Sequence, residues 1–244
     1  MGKFKFQKVD KKEANKGKTF MKKINSVSNN SSRVINNPSF YYYKDKNYGK
    51  DIENFQFENI YEELFKIDGA KTFELTTVYP GLLIGSGYNH PKLKDNNDDF
   101  QLGFFFDHTT GLPVISGSSI KGLLKSVFEK KELMQDFYGE TVDNDKIKEI
   151  FTQGVVFYDA YIIKTKHKQK HIFGNDYITS HHSDDAMGIF KEPNPVKFLK
   201  ILPEVTFRFQ FDADDGLVKL FENILLDFGI GAKTNVGYGQ FCKN

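Results

Sequence analysis

The chain has 244 residues, 39% of them apolar, enough to bury a core in one large domain or two small ones. Its single cysteine excludes an intrachain disulfide and a cysteine-rich metal centre, and fits a reducing, cytoplasmic compartment. The net charge is only +2, but residues 1–50 carry 13 Lys/Arg against 3 Asp/Glu and the rest carries 21 against 29, so a basic extension precedes a mildly acidic body.

Within that extension, residues 1–50, the first 38 alternate charge with Ser and Asn, and SVSNNSSRVINNPS holds too few apolar groups to order itself without a partner. Its charges suit a polyanion, acting together along a phosphate chain, or serve solubility alone. MGKFKFQKVDKKEANKGK lacks the apolar centre of a signal peptide, Phe6 replaces the Ser or Thr of a myristoylation signal, and no run is apolar and long enough for a membrane span. PSFYYYKDKNYG then interleaves five aromatics with Lys44 and Lys46, a composition for stacking on bases or for docking on protein.

Residues 51–244 read as one domain. FQFENIYEELFKID places Phe57, Ile60, Tyr61, Leu64 and Phe65 at helical spacing and predicts a helix over 55–68. KTFELTTVYPGLLIG predicts a strand from Thr72 to about Tyr79, ended by Pro80. FQLGFFFDHTTGLPVIS predicts a strand, a turn at Gly111 and a short extended piece. In SGSSIKGLLKSVFEKK, Ser116, Ser118 or Ser119 caps a helix that buries Ile120, Leu123, Leu124 and Val127 and runs to about Lys131, with Leu133, Met134 and Phe137 extending it toward Gly139. GVVFYDAYIIK predicts a central strand over 155–163, and residues 164–198 form an insertion without a stable period. EVTFRFQFD alternates, with Val205, Phe207, Phe209 and Phe211 on a covered face and Thr206, Arg208 and Gln210 displayed on the other. GLVKLFENILLDFGIG is an amphipathic helix stopped by Gly229 as a left-handed cap, and VGYGQF is a last strand over 236–241. The order β-α-β-β-α-β with large insertions defines an α+β sheet domain.

Two segments carry candidate chemistry. GIGAKTNVGYG is not a Walker loop, because Ala232 precedes Lys233 and the loop follows a helix; the dinucleotide fingerprint fails on the same context. It is either a flexible turn or a place where backbone approaches a ligand closely, with Lys233 as a point charge and Thr234 and Asn235 as donors. ISGSSIKG offers amides at a helix start with Lys121 and Lys125 beside them, a pattern that fits an anion or ordinary capping with solvated lysines. His171, Asp176, His181, His182, Asp184 and Asp185 could bind a metal, do acid–base work, touch RNA or a subunit, or stand in solvent; HExxH, paired Cys ligands and GxSxG are absent.

GLPVISGSSIKGLLKSVFE resembles the G-x-P-x-I-P-G-S-S-(I/L)-K-G segment of the RAMP superfamily of CRISPR proteins, and GIGAKTNVGYGQF resembles its C-terminal glycine-rich loop. With YPGLLIGSG, VVFYDAYII, DYITSHH and NPVKFLKILPEVTFRF, the resemblance over residues 72–241 is to the family of the sixth Cmr subunit of type III-B effector complexes. It implies a modified ferredoxin-like, RRM-like fold of the Cas7 type: an antiparallel sheet with two helices, large insertions and a basic N-terminal extension. It also implies a non-catalytic subunit without metal or cofactor near the 3′ end of the guide. Its partners are the crRNA, the duplex of guide with target RNA, the Cas7-like backbone subunit and the small helical subunit.

The RNA-contacting positions it implies are Lys121, Gly229, Gly231, Lys233, Thr234, Asn235, Gly237 and Gly239; the residue reading adds Ser118, Ser119 and Lys125 at the helix start and His181 in the insertion as RNA contacts. Asp176, Tyr177, Thr179 and His181 match a further family stretch. Ser116 departs from the family's usual Pro, and residues 1–50 lie outside its pattern. Three rival functions stand beside this one: a metal-independent crRNA-processing endoribonuclease using His171, His181 or His182; a target-cleaving Cas7-like backbone subunit using a metal on Asp107, Asp184 or Asp185; and a protein-contact module that binds no RNA.

Overall fold

The computed structural model describes residues 52–57, 65–85, 104–179 and 195–243. The Thr- and Phe-rich stretch after Gly69 forms β1 (Lys71–Thr77), and the turn behind it contains a cis Tyr79–Pro80 bond. Asp107 folds the next turn by accepting from the N–H groups of Thr109 and Thr110, and Val114–Ile115 follow as β2. Helix α1 (Gly117–Phe128) starts at Ser116, which caps the amide of Ser119. It stops three residues short of Lys131, and a separate helix, α2 (Lys131–Tyr138), closes on Gly139 in the left-handed conformation. Helix α3 (Asn144–Lys148) and a π-turn over Glu149–Gly154 lead back to the sheet.

The expected strand over 155–163 is two strands, β3 (Val156–Phe157) and β4 (Ala160–Thr165). They are broken where Asp159 turns aside to accept from the Gly117 amide at the head of α1. The insertion was expected to lack structure; instead β5 (Phe173–Thr179) and β6 (Pro195–Ile201) pair along their full length as a hairpin. Its sequence hid this, because charged residues fall on both faces and only part of each strand is buried. β7 (Val205–Asp212), α4 (Asp215–Phe228), capped by Asp214, and β8 (Phe241–Lys243) complete the chain. The last strand is shorter and later than expected because Thr234–Val236 close into a 3-10 turn.

The main sheet runs β2-β4-β7-β1-β8, all antiparallel, with β3 also paired to β7. Counting β1, β4, β7 and β8 as the four strands of a β-α-β-β-α-β unit gives the order fourth, first, third, second, which is the ferredoxin-like arrangement. Helices α1 and α4 pack on the face that carries Leu75, Phe207, Phe209 and Phe211; Phe221 stands 5.2 Å from Phe211 and 5.7 Å from Phe157, ring centre to ring centre. Burying Val218, Phe221, Ile224 and Leu225 contributes roughly 1.5–3 kcal/mol for each side chain relative to water.

The opposite face is not displayed to solvent. Residues 65–70 lie over it: Phe65 stacks on Tyr161 at 4.1 Å, and Gln210 donates to the Phe65 carbonyl at 2.7 Å and accepts from the Ile67 amide at 3.0 Å. Thr76 and Thr206 pair there at 2.9 Å, and Glu74 holds Arg208 at 2.9 Å. The helix expected over 55–68 does not form at its described ends, since Gln56 pairs with His171 as a β-bridge and Phe65 is in a turn; Ile60, Tyr61 and Leu64 lie outside the described residues.

Candidate functional site

Where α4 ends, Gly229 adopts φ 65°, ψ −171°, which is not the left-handed cap expected of it, and its amide closes the helix on the Leu225 carbonyl. The chain then folds tightly against its own backbone. Ile230 donates to the Gly239 carbonyl at 2.9 Å, Ala232 to Leu83 at 3.0 Å, and Gly239 to Gly81 at 2.8 Å. A Cβ at Gly239 would stand 1.9 Å from the Ile230 oxygen, and one at Gly231 2.3 Å from the Leu83 oxygen. These two glycines therefore let the loop pack on the protein itself. Gly237 is different, with nothing nearer to such an atom than a Pro80 carbon at 3.5 Å.

Between those anchors lies the chemically open part. Lys233 is left-handed, at φ 63° and ψ 34°, and is followed by the 3-10 turn Thr234–Val236. A left-handed residue joined to right-handed ones turns successive N–H groups toward one side, the geometry of an anion nest. The amides of Gly231, Lys233, Thr234 and Asn235 donate to no group, and the Lys233 ammonium pairs with no carboxylate, among the described residues.

The loop faces α1 across a groove of about 500 Å³. Ser119, Leu123, Ser126 and Lys130 line one wall, Gly229–Ala232 and Thr234 the other, and Leu82, Ile84 and Gly85 the floor. The two segments singled out in the sequence thus meet at one place, but Lys121 and Lys125 do not. Lys121 is two residues from Ser119, about 200° round the helix, and its ammonium lies 5.9 Å over the Phe157 ring. Lys125 pairs with Glu129 at 3.7 Å. The cation on the groove is Lys130, at the C-terminal side of the helix-start motif; only its spacing of four, seven and eleven residues from Ser126, Leu123 and Ser119 could have revealed it. Ser118 is exposed and hydrogen-bonds Ser116 at 3.0 Å.

A third element ties the loop down. Asp176 on β5 accepts from the Tyr238 hydroxyl at 2.6 Å and from Lys200 on β6 at 2.7 Å, and Lys200 lies 5.7 Å over the Tyr238 ring. Burial raises the Asp176 carboxyl, but the bonds from Lys200, Tyr238 and the Tyr177 amide outweigh it and hold the group below the usual carboxylate range. The Tyr238 hydroxyl is pushed up by burial, by its bond to Asp176 and by the Asp176 charge, so it stays a proton donor. The acid that holds Tyr238 of the loop is thereby neutralised by a fixed lysine. Thr179 continues β5, and His181, His182, Asp184 and Asp185 lie outside the described residues.

The remaining histidines and acids named from the sequence are occupied in the fold. His171 donates from Nδ1 to the Glu53 carbonyl at 2.6 Å, and Asp107 caps its turn. No group of three or more His, Cys, Asp or Glu able to hold a metal occurs among the described residues, and no described helix is long and apolar enough to cross a membrane.

A family model for the RAMP superfamily matches residues 74–242. The CRISPR system CMR subunit Cmr6 of Saccharolobus solfataricus is 31% identical over 88% of this chain and 83% of its own length. A chain of the cryo-EM structure of the type III-B Cmr-beta bound to cognate target RNA superposes with a TM-score of 0.55 at 29% identity, covering 92% of this chain and 85% of that one. The chain therefore belongs to the RAMP superfamily and, within it, to the Cmr6 family.

Proposed function

We propose that this protein is a non-catalytic, RNA-holding subunit of a type III-B Cmr effector complex in the cytoplasm, seated near the 3′ end of the guide and supporting capture of target RNA. Its family and its likeness to a chain solved with cognate target RNA support the assembly. The observation that carries the RNA role is the loop after α4: four amides and a Lys233 ammonium with no partner among the described residues, Lys233 lying between the groove-lining Ala232 and Thr234. Such a loop takes a ribose-phosphate backbone without reading its bases, so the sequence is left to pairing between guide and target. Of the described histidines, His167 and His171 are held by main-chain carbonyls, which turns their rings away from service as a base for a 2′-hydroxyl; His108 stands exposed in the turn after Asp107.

The experiment is Lys233→Ala in the assembled complex. RNA affinity falls by a similar factor for unrelated guide sequences, and the slope of log affinity against log salt flattens by about 0.7–0.9 for the lost phosphate contact. Loss confined to particular sequences would overturn the reading. So would metal-independent cleavage of labelled repeat RNA by the purified protein.

A further inference from the structure

The turn bonded to the far end of the glycine-rich loop carries a bare aromatic. Tyr79 is 84% exposed and meets no described ring, in a chain whose other described aromatics mostly interlock. It is not a loose side chain on a loose loop. Val78 donates to the Gln240 carbonyl at 3.1 Å, Gly81 donates back to Val78 at 2.8 Å and accepts from Gly239 at 2.8 Å, so the turn is stitched to the glycine-rich loop on both sides of the ring. Pro80 lies against Gly237, and the Tyr79 hydroxyl is close enough to Tyr238 to act on it electrostatically. Val236, 68% exposed, presents a second apolar surface from the loop itself.

An aromatic left bare on a turn bonded to the loop that carries the unsatisfied amides suits a nucleotide, whose phosphate and base are one ribose apart. We infer that Tyr79 is a stacking platform for one unstacked base of single-stranded RNA whose neighbouring phosphate sits in the Gly231–Asn235 nest. The inference rests on the RNA-holding reading above and adds a base contact to it. Every base has a π-face, so the contact is tolerant of sequence, and it adds affinity that salt does not screen. Protein docking is the competing use of an exposed tyrosine. The amides are the reason to prefer RNA, because they ask for an anion on the loop to which the Tyr79 turn is bonded.

The test uses the full chain in its assembled complex and a short single-stranded RNA of mixed sequence, with a series in which each nucleotide in turn is made abasic. At one position the abasic change weakens wild-type binding about 5- to 100-fold, the range for a lost base stack. Tyr79→Leu weakens binding of the intact RNA by a similar factor and is indifferent to the abasic change at that position. Tyr79→Phe, which keeps the ring, binds like wild type. Tyr79→Leu leaves the salt slope unchanged, whereas Lys233→Ala lowers it; melting curves of all variants guard against misfolding. If Tyr79→Leu binds like wild type and still feels every abasic change, while Lys233→Ala weakens binding, the stacking inference is overturned and the phosphate reading survives. If neither variant affects RNA, both fall. If Tyr79→Leu spares RNA and loses a neighbouring subunit, the ring is a protein contact and the inference is wrong.

Discussion

The two turns SGSSIK and GAKTNVGYG share glycine, hydroxyl and lysine residues, yet the fold puts them to opposite uses. At the head of α1 three of the first four amides are occupied: Gly117 donates to the Asp159 carboxylate at 2.7 Å, Ser119 to Ser116, main-chain oxygen at 2.9 Å and side chain at 3.3 Å, and Ile120 to the Ser116 carbonyl at 3.1 Å. The carboxylate that fills the positive end of the helix would repel a phosphate arriving there. After α4 the amides of Gly231, Lys233, Thr234 and Asn235 donate to no group among the described residues, and Asp176, the acid that holds Tyr238 of the loop, is bound to a lysine. Composition marks both turns as anion-compatible; the partners of the N–H groups decide between them.

The largest effect that bears on this comparison is expected at Gly239. A methyl group there collides with the Ile230 carbonyl, at a φ of +73° that side chains rarely adopt. Gly239→Ala is expected to cost about 3 kcal/mol or more, lowering the melting temperature by about 6–12 °C in a scanning-fluorimetry series. Gly237→Ala, which meets only an ordinary contact with Pro80, carries just the left-handed penalty of about 1–2 kcal/mol. Equal losses at both positions would break the division of the loop into a packed base and an open tip.

How much of this was legible beforehand follows the same division. α1, α4, β1 and β7 were readable because each buries one strong stripe, and the ferredoxin-like order followed from their sequence. The β5–β6 hairpin was not: Asp176, Lys197 and Lys200 break any alternation, and they are tolerated because each meets an opposite charge across the fold. Thr206 and Gln210 were read as displayed because a polar letter gives no sign that residues 65–70 will cover it. The loop after α4 was found from its glycines, whereas Lys130 was missed because helical spacing relates it to the serines and not to Lys121.

A smaller effect is expected where the loop is tied to the hairpin. Asp176→Asn keeps the shape but loses the charge that Lys200 and Tyr238 share, costing about 1–2 kcal/mol at this half-exposed site. The sign with pH is fixed by the lowered carboxyl: in the wild type the contribution is whole above about pH 4, the ordinary value of an unfolded aspartate. It is lost as pH falls through the lower native value. The gap in stability between wild type and Asp176→Asn therefore closes in acid, read from urea melts across that window. A gap that stays constant would mean that the charge is not what holds the hairpin to the loop.

The smallest expected effect is also the most pointed, because it asks what the α1 turn is for. Ser116→Ala removes the cap on the Ser119 amide and should cost about 1 kcal/mol of stability. If the head of α1 is a structural cap, that loss comes with unchanged RNA affinity once the protein is folded, and Lys121→Ala, whose ammonium rests on Phe157 rather than on the groove, is equally silent. Should Ser116→Ala or Lys121→Ala weaken RNA binding as much as Lys233→Ala does, the strand must cross both turns. The Asp159 carboxylate would then have to yield its place at the helix head, and Asp159→Asn should strengthen binding.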